Sequence, residues 1–266
     1  LELQKDHFFV TGKAGTGKST LLHLFRKTTG KKVVVLSPTG ISALNVQGQT
    51  IHSFFQFPPK LMHQGEIFIN KRLVRLLSAL DAIIIDEVSM VRADVLDAID
   101  YSLKLHRKSV APFGGVQMLF FGDLFQLPPV VSSQEEREYF RTAYPSPYFF
   151  DAHIFKSHVH LVMIELTRVY RQRERNFIQL LDAIRTMQFD YEELDSLNER
   201  YLPDEPIEEP YLTLCSTNAA AQQINKDRLA LLTTPSFYYS GEVKGDFNPK
   251  LFPTDYKLEL RLDGQV

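Results

Sequence analysis

The chain has few of the features that mark specialised protein classes. Its 266 residues include a single cysteine, Cys215, which excludes an internal disulfide framework and a thiolate zinc cluster. It has no excess of either charge: 30 Lys and Arg face 32 Asp and Glu, a formal net charge of −2. This balance does not advertise nucleic-acid binding, and such a partner has to be argued from local features. No apolar run approaches the ~18 residues of a membrane span. The longest runs, Val33-Val34-Val35-Leu36 and Ala82-Ile83-Ile84-Ile85, are strand-sized. Residues 1–10 lack the basic start and apolar core of a secretory leader. Internal repeats and low-complexity tracts are absent. What remains is 44% hydrophobic and 23% charged, a globular composition that excludes disordered and fibrous classes. At roughly 150 residues per domain, the length suggests about two domains.

Short apolar strands alternate with helical stretches in the first half. Residues 7–11, 33–37, 82–86 and 116–122 read as strands. The first leads into a Gly-rich loop and a helix carrying Leu21, Leu22 and Phe25 on one face. A helical 41–46 follows Pro38. This pattern predicts an α/β fold, a parallel sheet with helices on both faces. The aromatic segment 54–69 is expected on the sheet's rim, inside a small inserted subdomain over 53–75, and 132–147 as a long loop. A second domain is expected over 161–266, after a first over 1–160. Within it, Phe177, Leu180, Leu181 and Ile184 form an amphipathic stripe. Residues 190–209 read as an acidic connector, 211–216 as a strand, and Asn218 as the cap of a helix reaching residue 232. The chain starts with Leu and stops just after an alternating stretch, 256–262, so it reads as a piece of a longer protein.

Gly12-Lys13-Ala14-Gly15-Thr16-Gly17-Lys18-Ser19 matches G-x-x-x-x-G-K-[ST] between a strand and a helix, the context of a phosphate-binding loop. The glycines let backbone N–H groups turn inward around phosphate oxygens, and the helix start, with Thr20 in its first turn, adds partial positive charge. Lys18 is placed to reach the β- and γ-phosphates and Ser19 to ligate Mg²⁺. About seventy residues on, an apolar strand delivers Asp86 and Glu87 to its C-terminal end, where ligands of open α/β sheets bind. Asp86 is expected to hold Mg²⁺ and Glu87 to take a proton from attacking water. A base aimed at water favours hydrolysis over transfer to a bound acceptor. Gly122-Asp123-Leu124-Phe125-Gln126-Leu127-Pro128-Pro129 follows the fourth strand; Gln126 reads either as a γ-phosphate reporter or as part of a polar turn.

Several elements then occur in a telling order. They are the phosphate loop, Ser37-Pro38-Thr39-Gly40-Ile41-Ser42-Ala43, Thr50-Ile51-His52-Ser53-Phe54-Phe55, Asp86-Glu87-Val88-Ser89-Met90, Pro112-Phe113-Gly114-Gly115-Val116-Gln117 and the Gln126 segment. With Leu166-Thr167-Arg168-Val169-Tyr170-Arg171-Gln172, and with Thr217-Asn218 and Ile224-Asn225, they resemble the petite-integration-frequency (PIF) DNA helicases of superfamily one. The resemblance covers nearly the whole chain. It implies a RecA-like P-loop NTPase with a second, incomplete RecA-like domain. The implied activity is an ATP-dependent helicase using ATP and Mg²⁺ to move 5′ to 3′ on single-stranded DNA and to unwind duplexes, forks or G-quadruplexes, as a monomer in an intracellular compartment. It implies that Arg171 touches the γ-phosphate from the second domain, and that Pro38, Thr39, Gly40, His52, Ser53 and Phe54 line the DNA path. The residues alone leave Arg171 open as a solvated arginine and His52 as a packed histidine. Residues 97–117 resemble a family insertion whose basic cluster, Lys104, His106, Arg107 and Lys108, reads as a DNA contact or as a solvated face.

The family's adenine-recognising glutamine has no convincing counterpart; Gln4 sits too close to the loop. The family's fifth and sixth motifs lie beyond residue 266, so slow hydrolysis and no unwinding are expected of this chain alone. Two other classes fit parts of the sequence. A nucleotide-switched binding module has no need of Glu87. A P-loop kinase for small molecules would place phosphate on an acceptor and ignore DNA.

Overall fold

The computed structural model describes residues 1–2, 6–157, 159–172, 174–202, 212–243 and 254–265. Two compact units divide the chain, Leu1–Leu197 and Asn198–Val266.

The first unit is built on a six-stranded sheet. Its strands are β1 (His7–Gly12), β2 (Val33–Ser37), β3 (Gln49–Thr50), β4 (Ala82–Ile85), β5 (Gln117–Phe121) and β6 (Leu161–Leu166). They lie in the order β3-β2-β4-β5-β1-β6, and every pair is parallel. The period-2 alternation of side chains sends successive residues to opposite faces. Phe9, Leu36, Ile83, Ile85, Met118 and Phe120 enter one core; Phe8, Val10, Val35, Ile84, Leu119 and Phe121 enter the other. Helix α1 (Lys18–Thr28) covers the second face with Leu22 and Phe25. The first face is covered by α3 (Ile51–Phe55), α4 (Lys71–Ser78) and α5 (Ala93–Arg107), the last contributing Leu96, Ile99 and Leu103. Burial on both sides explains why β4 is isoleucine without alternation. Each fully buried isoleucine contributes about 1.5–3 kcal/mol.

Several expectations are corrected. Residues 161–166 were expected to open the second domain, yet β6 pairs with β1 along its whole length, from His7↔Leu161 to Gly12↔Leu166. The boundary expected at 160/161 therefore falls inside the first unit. The segment 53–75 is anchored in the main core, since Phe54, Phe55, Phe57, Met62 and Leu73 are buried there. The expected loop 132–147 contains helix α6 (Gln134–Ala143), started by a capping box: Ser133 accepts from the Glu136 N–H and the Glu136 carboxylate accepts from the Ser133 N–H. Ser-x-x-Glu is the signal that reading passed over.

Three of the four residues of the basic cluster are committed to structure, and Lys108 is exposed. His106 is buried and accepts from the Asn70 N–H at 3.1 Å, and Lys104 pairs with Asp100 at 2.8 Å. Arg107 donates to the carbonyls of Gly114, Leu77 and Leu80. Helix α5 also buries three carboxylates, Asp94, Asp97 and Asp100. Asp97 accepts from Tyr144 and from the His153 and Ile154 N–H groups, while Asp100 accepts from the Phe113 N–H at 2.7 Å. Asp94 accepts from the Met62 N–H and from Arg92, so all three buried charges are satisfied.

Farther on, α7 (Arg175–Thr186) spans the expected amphipathic stripe, of which Leu180 is buried and Leu181 and Ile184 are exposed, and α8 (Tyr191–Asn198) occupies part of the expected acidic connector, whose residues 203–209 lie outside the described ones. In the second unit, α9 (Asn218–Leu231) is capped by Thr217, whose side chain accepts from the Ala220 N–H, one residue before the expected cap. Strands β7 (Ser236–Ser240) and β8 (Lys257–Arg261) pair antiparallel. The strand expected over 211–216 is not formed: residues 212–215 have no regular structure, and Tyr211 lies outside the described residues.

Candidate nucleotide and nucleic-acid site

The strand order assembles the site. In a parallel sheet all C-terminal ends lie on one edge. Because β4, β5, β1 and β6 are consecutive neighbours, that edge brings together Asp86 and Glu87 after β4, the 122–129 segment after β5, the phosphate loop after β1, and the 167–172 segment after β6.

Helix α1 begins at Lys18 behind Gly17, which has left-handed φ and offers no side-chain cap; its first turn holds no acidic residue. Its leading N–H groups are thus available to an anion. Lys18 folds back onto its own loop, donating to the Gly12 carbonyl at 2.6 Å and the Lys13 carbonyl at 3.0 Å. Burial lowers its pKa, against the pull of Asp123 and Glu87. Ser19 and Thr20 are exposed beside it in the first turn, while Thr16 is buried and donates to the Lys13 carbonyl at 2.8 Å. Gly15 has φ +76°, and a Cβ there would lie 2.5 Å from Cβ of Arg171. The Tyr170 N–H donates to the Gly15 carbonyl at 2.8 Å. Only glycine satisfies both the torsion and the approach. Arg171 therefore stands against the loop within the first compact unit, rather than reaching it from another one.

Asp86 is 7% exposed. Burial, reinforced by the neighbouring Glu87 charge, pushes its carboxyl from 3.8 up to about 6, while Lys18 and His23 pull the other way. Glu87 follows in the left-handed region, φ 52°. The buried hydroxyls of Ser37 and Ser89 have no protein partner. Ser37 ends β2 beside Asp86, whose N–H donates to the Leu36 carbonyl at 2.8 Å. A carboxylate and hydroxyls are hard oxygen donors, and a desolvated carboxylate awaiting a cation fits Mg²⁺, which takes few protein ligands and keeps water and phosphate oxygens. Among the described residues no cluster of three or more His, Cys, Asp or Glu could hold a metal without such help.

Beyond β5, Asp123 is buried and accepts from the Phe125 N–H and from Gln126 Nε2, each at 3.1 Å. Gln126 itself is exposed.

The residues expected on the DNA path fall in two groups. β2 and β3 are neighbours with Ser37 opposite Thr50, which sets the two following helix starts side by side. Thr39 caps α2 (Gly40–Asn45) by accepting from the Ser42 N–H, and Thr50 caps α3 by accepting from the Ser53 N–H. Gly40 and Ser53 are exposed, and Pro38 and His52 half-buried. Phe54 is placed apart from them: it is 7% exposed, its ring 5.0 Å from that of Phe55 in the core. Burial and the Arg92 charge lower the pKa of His52. Gln4 lies outside the described residues.

A PIF1-like helicase family model matches residues 1–193. The chain belongs to the PIF1-like helicase family. Its sequence is 34% identical over 239 residues to the ATP-dependent DNA helicase PIF1 of Saccharomyces cerevisiae, covering 85% of this chain and 26% of that protein. Two crystal structures of Bacteroides Pif1 superpose with TM-score 0.83. One is bound to single-stranded DNA, at 40% identity over 97% of this chain and 61% of the other. The second is in complex with ADP-AlF4, at 38% identity over 97% of this chain and 60% of the other. The PIF1-like chain thus spans about a quarter of the yeast relative and about three fifths of the Bacteroides chains. Among the described residues, no helix is long and apolar enough to cross a membrane.

Some members of this PIF1-like site carried no sequence signal. Arg185 donates to Asp123 at 2.7 Å, and Lys13 pairs with Asp182. Both partners on α7 lie far from any motif, and the stripe of that helix explains only its apolar side.

Proposed function

We propose that this chain is the nucleotide-hydrolysing core of an ATP-dependent DNA helicase. The observation that carries the reading is the convergence, on one sheet edge, of the Lys18 loop, the Asp86–Glu87 pair, the Gln126 segment and Arg171. Loop N–H groups and Lys18 would hold the triphosphate. Asp86 and Ser19 would hold Mg²⁺, whose charge would offset that of the phosphates. Glu87 would accept a proton from the attacking water. Gln126 and Arg171 would contact the γ-phosphate, the arginine stabilising transition-state charge, an effect of about 10³–10⁵ in rate.

The exposed Gly40 and Ser53, with Pro38, Thr39 and His52, would grip single-stranded DNA through backbone N–H groups and hydroxyls, without reading sequence. The single-stranded DNA in one Bacteroides relative and ADP-AlF4 in another support the two ligands. Movement 5′ to 3′, action on forks or G-quadruplexes, and completion of a second RecA-like domain by further sequence are proposed from the family resemblance.

Two substitutions test the assignment by nucleotide binding and by hydrolysis with and without single-stranded DNA. Lys18→Ala abolishes binding, whereas Glu87→Gln keeps binding and loses hydrolysis. Equal loss of binding in both would show that Glu87 is not the base. Phosphate delivered to an acceptor, with DNA having no effect, would favour a kinase.

A further inference from the structure

Asp123 is 1% exposed, and its carboxylate takes three donors: the Phe125 N–H, Gln126 Nε2 and Arg185 Nη2. The Arg185 guanidinium carbon also lies 4.3 Å from the centre of the Phe125 ring, within cation–π range. Its Nε is buried without a protein partner, so one buried donor is left unsatisfied while the Asp123 bond and the ring contact hold the group in place. One turn earlier on the same helix, Asp182 pairs with Lys13 of the phosphate loop. A cavity of about 240 Å³ lies between these elements, lined by Lys13, Gln126, Leu181 and Arg185 among others. Helix α7 is thus tied at once to the loop after β1 and the loop after β5.

The chemistry of an amide gives this tie a consequence. Gln126 has a donor end and an acceptor end. With Nε2 committed to Asp123, Oε1 is the end left over. That orientation lasts while Asp123 is an acceptor, and a cation bonded to a buried carboxylate favours its charged, accepting form. Arg185 supplies the cation.

We propose that Arg185 is a positioning residue for ATP hydrolysis: through Asp123 it fixes the Gln126 amide and couples α7 to the nucleotide loops. The inference rests on the function proposed above. Rearrangement of either loop around a nucleotide must then alter α7, and loss of Arg185 must free Gln126 without disturbing the phosphate loop.

Hydrogen exchange on the 266-residue chain, with and without Mg²⁺ and a non-hydrolysable ATP mimic, tests this. In the wild type the mimic slows exchange over residues 12–19 and changes it over 123–127 and 175–186. In Arg185→Ala the response over 12–19 persists, that over 123–127 and 175–186 disappears, and Arg185→Lys restores part of it. In hydrolysis, Arg185→Ala lowers kcat by about 10²-fold, the cost of a misplaced group, with KM for ATP within about threefold. If Arg185→Ala melts without cooperativity, Asp123→Asn carries the same comparison. Responses over 123–127 and 175–186 that survive the substitution, with kcat unchanged, overturn the inference alone. A wild-type chain whose residues 12–19 ignore the mimic overturns the nucleotide reading, and this inference with it.

Discussion

Asp86→Asn is the most informative single change at the site, because it separates stability from function. In the folded chain the carboxyl is displaced from 3.8 to about 6. The folded state therefore holds its proton more tightly than the unfolded state. Stability falls as pH rises from about 4 to about 6 and stays reduced above that. At pH 8 the displacement corresponds to about 3 kcal/mol. Asparagine has the same shape and no charge to desolvate, and the displacement is already net of the bond to the Glu87 backbone. A gain of about 2–3 kcal/mol at pH 8 is expected, or roughly 4–12 °C in Tm for a unit of this size. Differential scanning fluorimetry of the nucleotide-free protein between pH 4 and pH 8 measures it. The variant should melt higher at pH 8 and converge with the wild type near pH 4. Mg²⁺ with an ATP mimic should stabilise the wild type and leave the variant nearly unmoved, since the cation favours the charged carboxylate. A difference in Tm that is constant across pH, or a variant that melts lower at pH 8, would refute the reasoning.

Other outcomes follow from groups outside the site. His7 Nδ1 accepts from the Met118 N–H at 3.0 Å, and burial lowers its pKa below 6.5, with Asp6 opposing. The stability this supplies is present above about pH 6.5 and lost as pH falls through the lowered value. His7→Phe should flatten the acid limb of a urea stability–pH profile while costing about 1–3 kcal/mol at pH 7 for the orphaned N–H; an unchanged limb would exclude His7 as its source. Ser133→Ala should remove about 1 kcal/mol by breaking the capping box of α6, read as a lower urea midpoint with nucleotide affinity unchanged. An equal midpoint would mean that the cap does not contribute.

Local patterns determined much of this protein. Strands β1, β2, β4 and β5, the glycine spacing after β1 and the place of Asp86 and Glu87 at a strand end were legible because these are properties of neighbouring residues. The Ser133 cap was legible too, and was passed over. Tertiary structure alone decided partners. Residues 161–166 read only as the start of a second domain, and the sheet register makes them a strand beside β1, carrying Arg171 onto the phosphate loop. Aromatic composition could not tell a base-stacking Phe54 from a core one, since both are apolar rings; burial put it in the core. The basic cluster read as a DNA contact or a solvated face, whereas Arg107 and His106 bond to backbone groups of neighbouring segments. Arg185 and Asp123 are 62 residues apart. Periodicity reports which side chains are hidden, whereas pairing across such a separation depends on how the layers stack, and no local spacing encodes that.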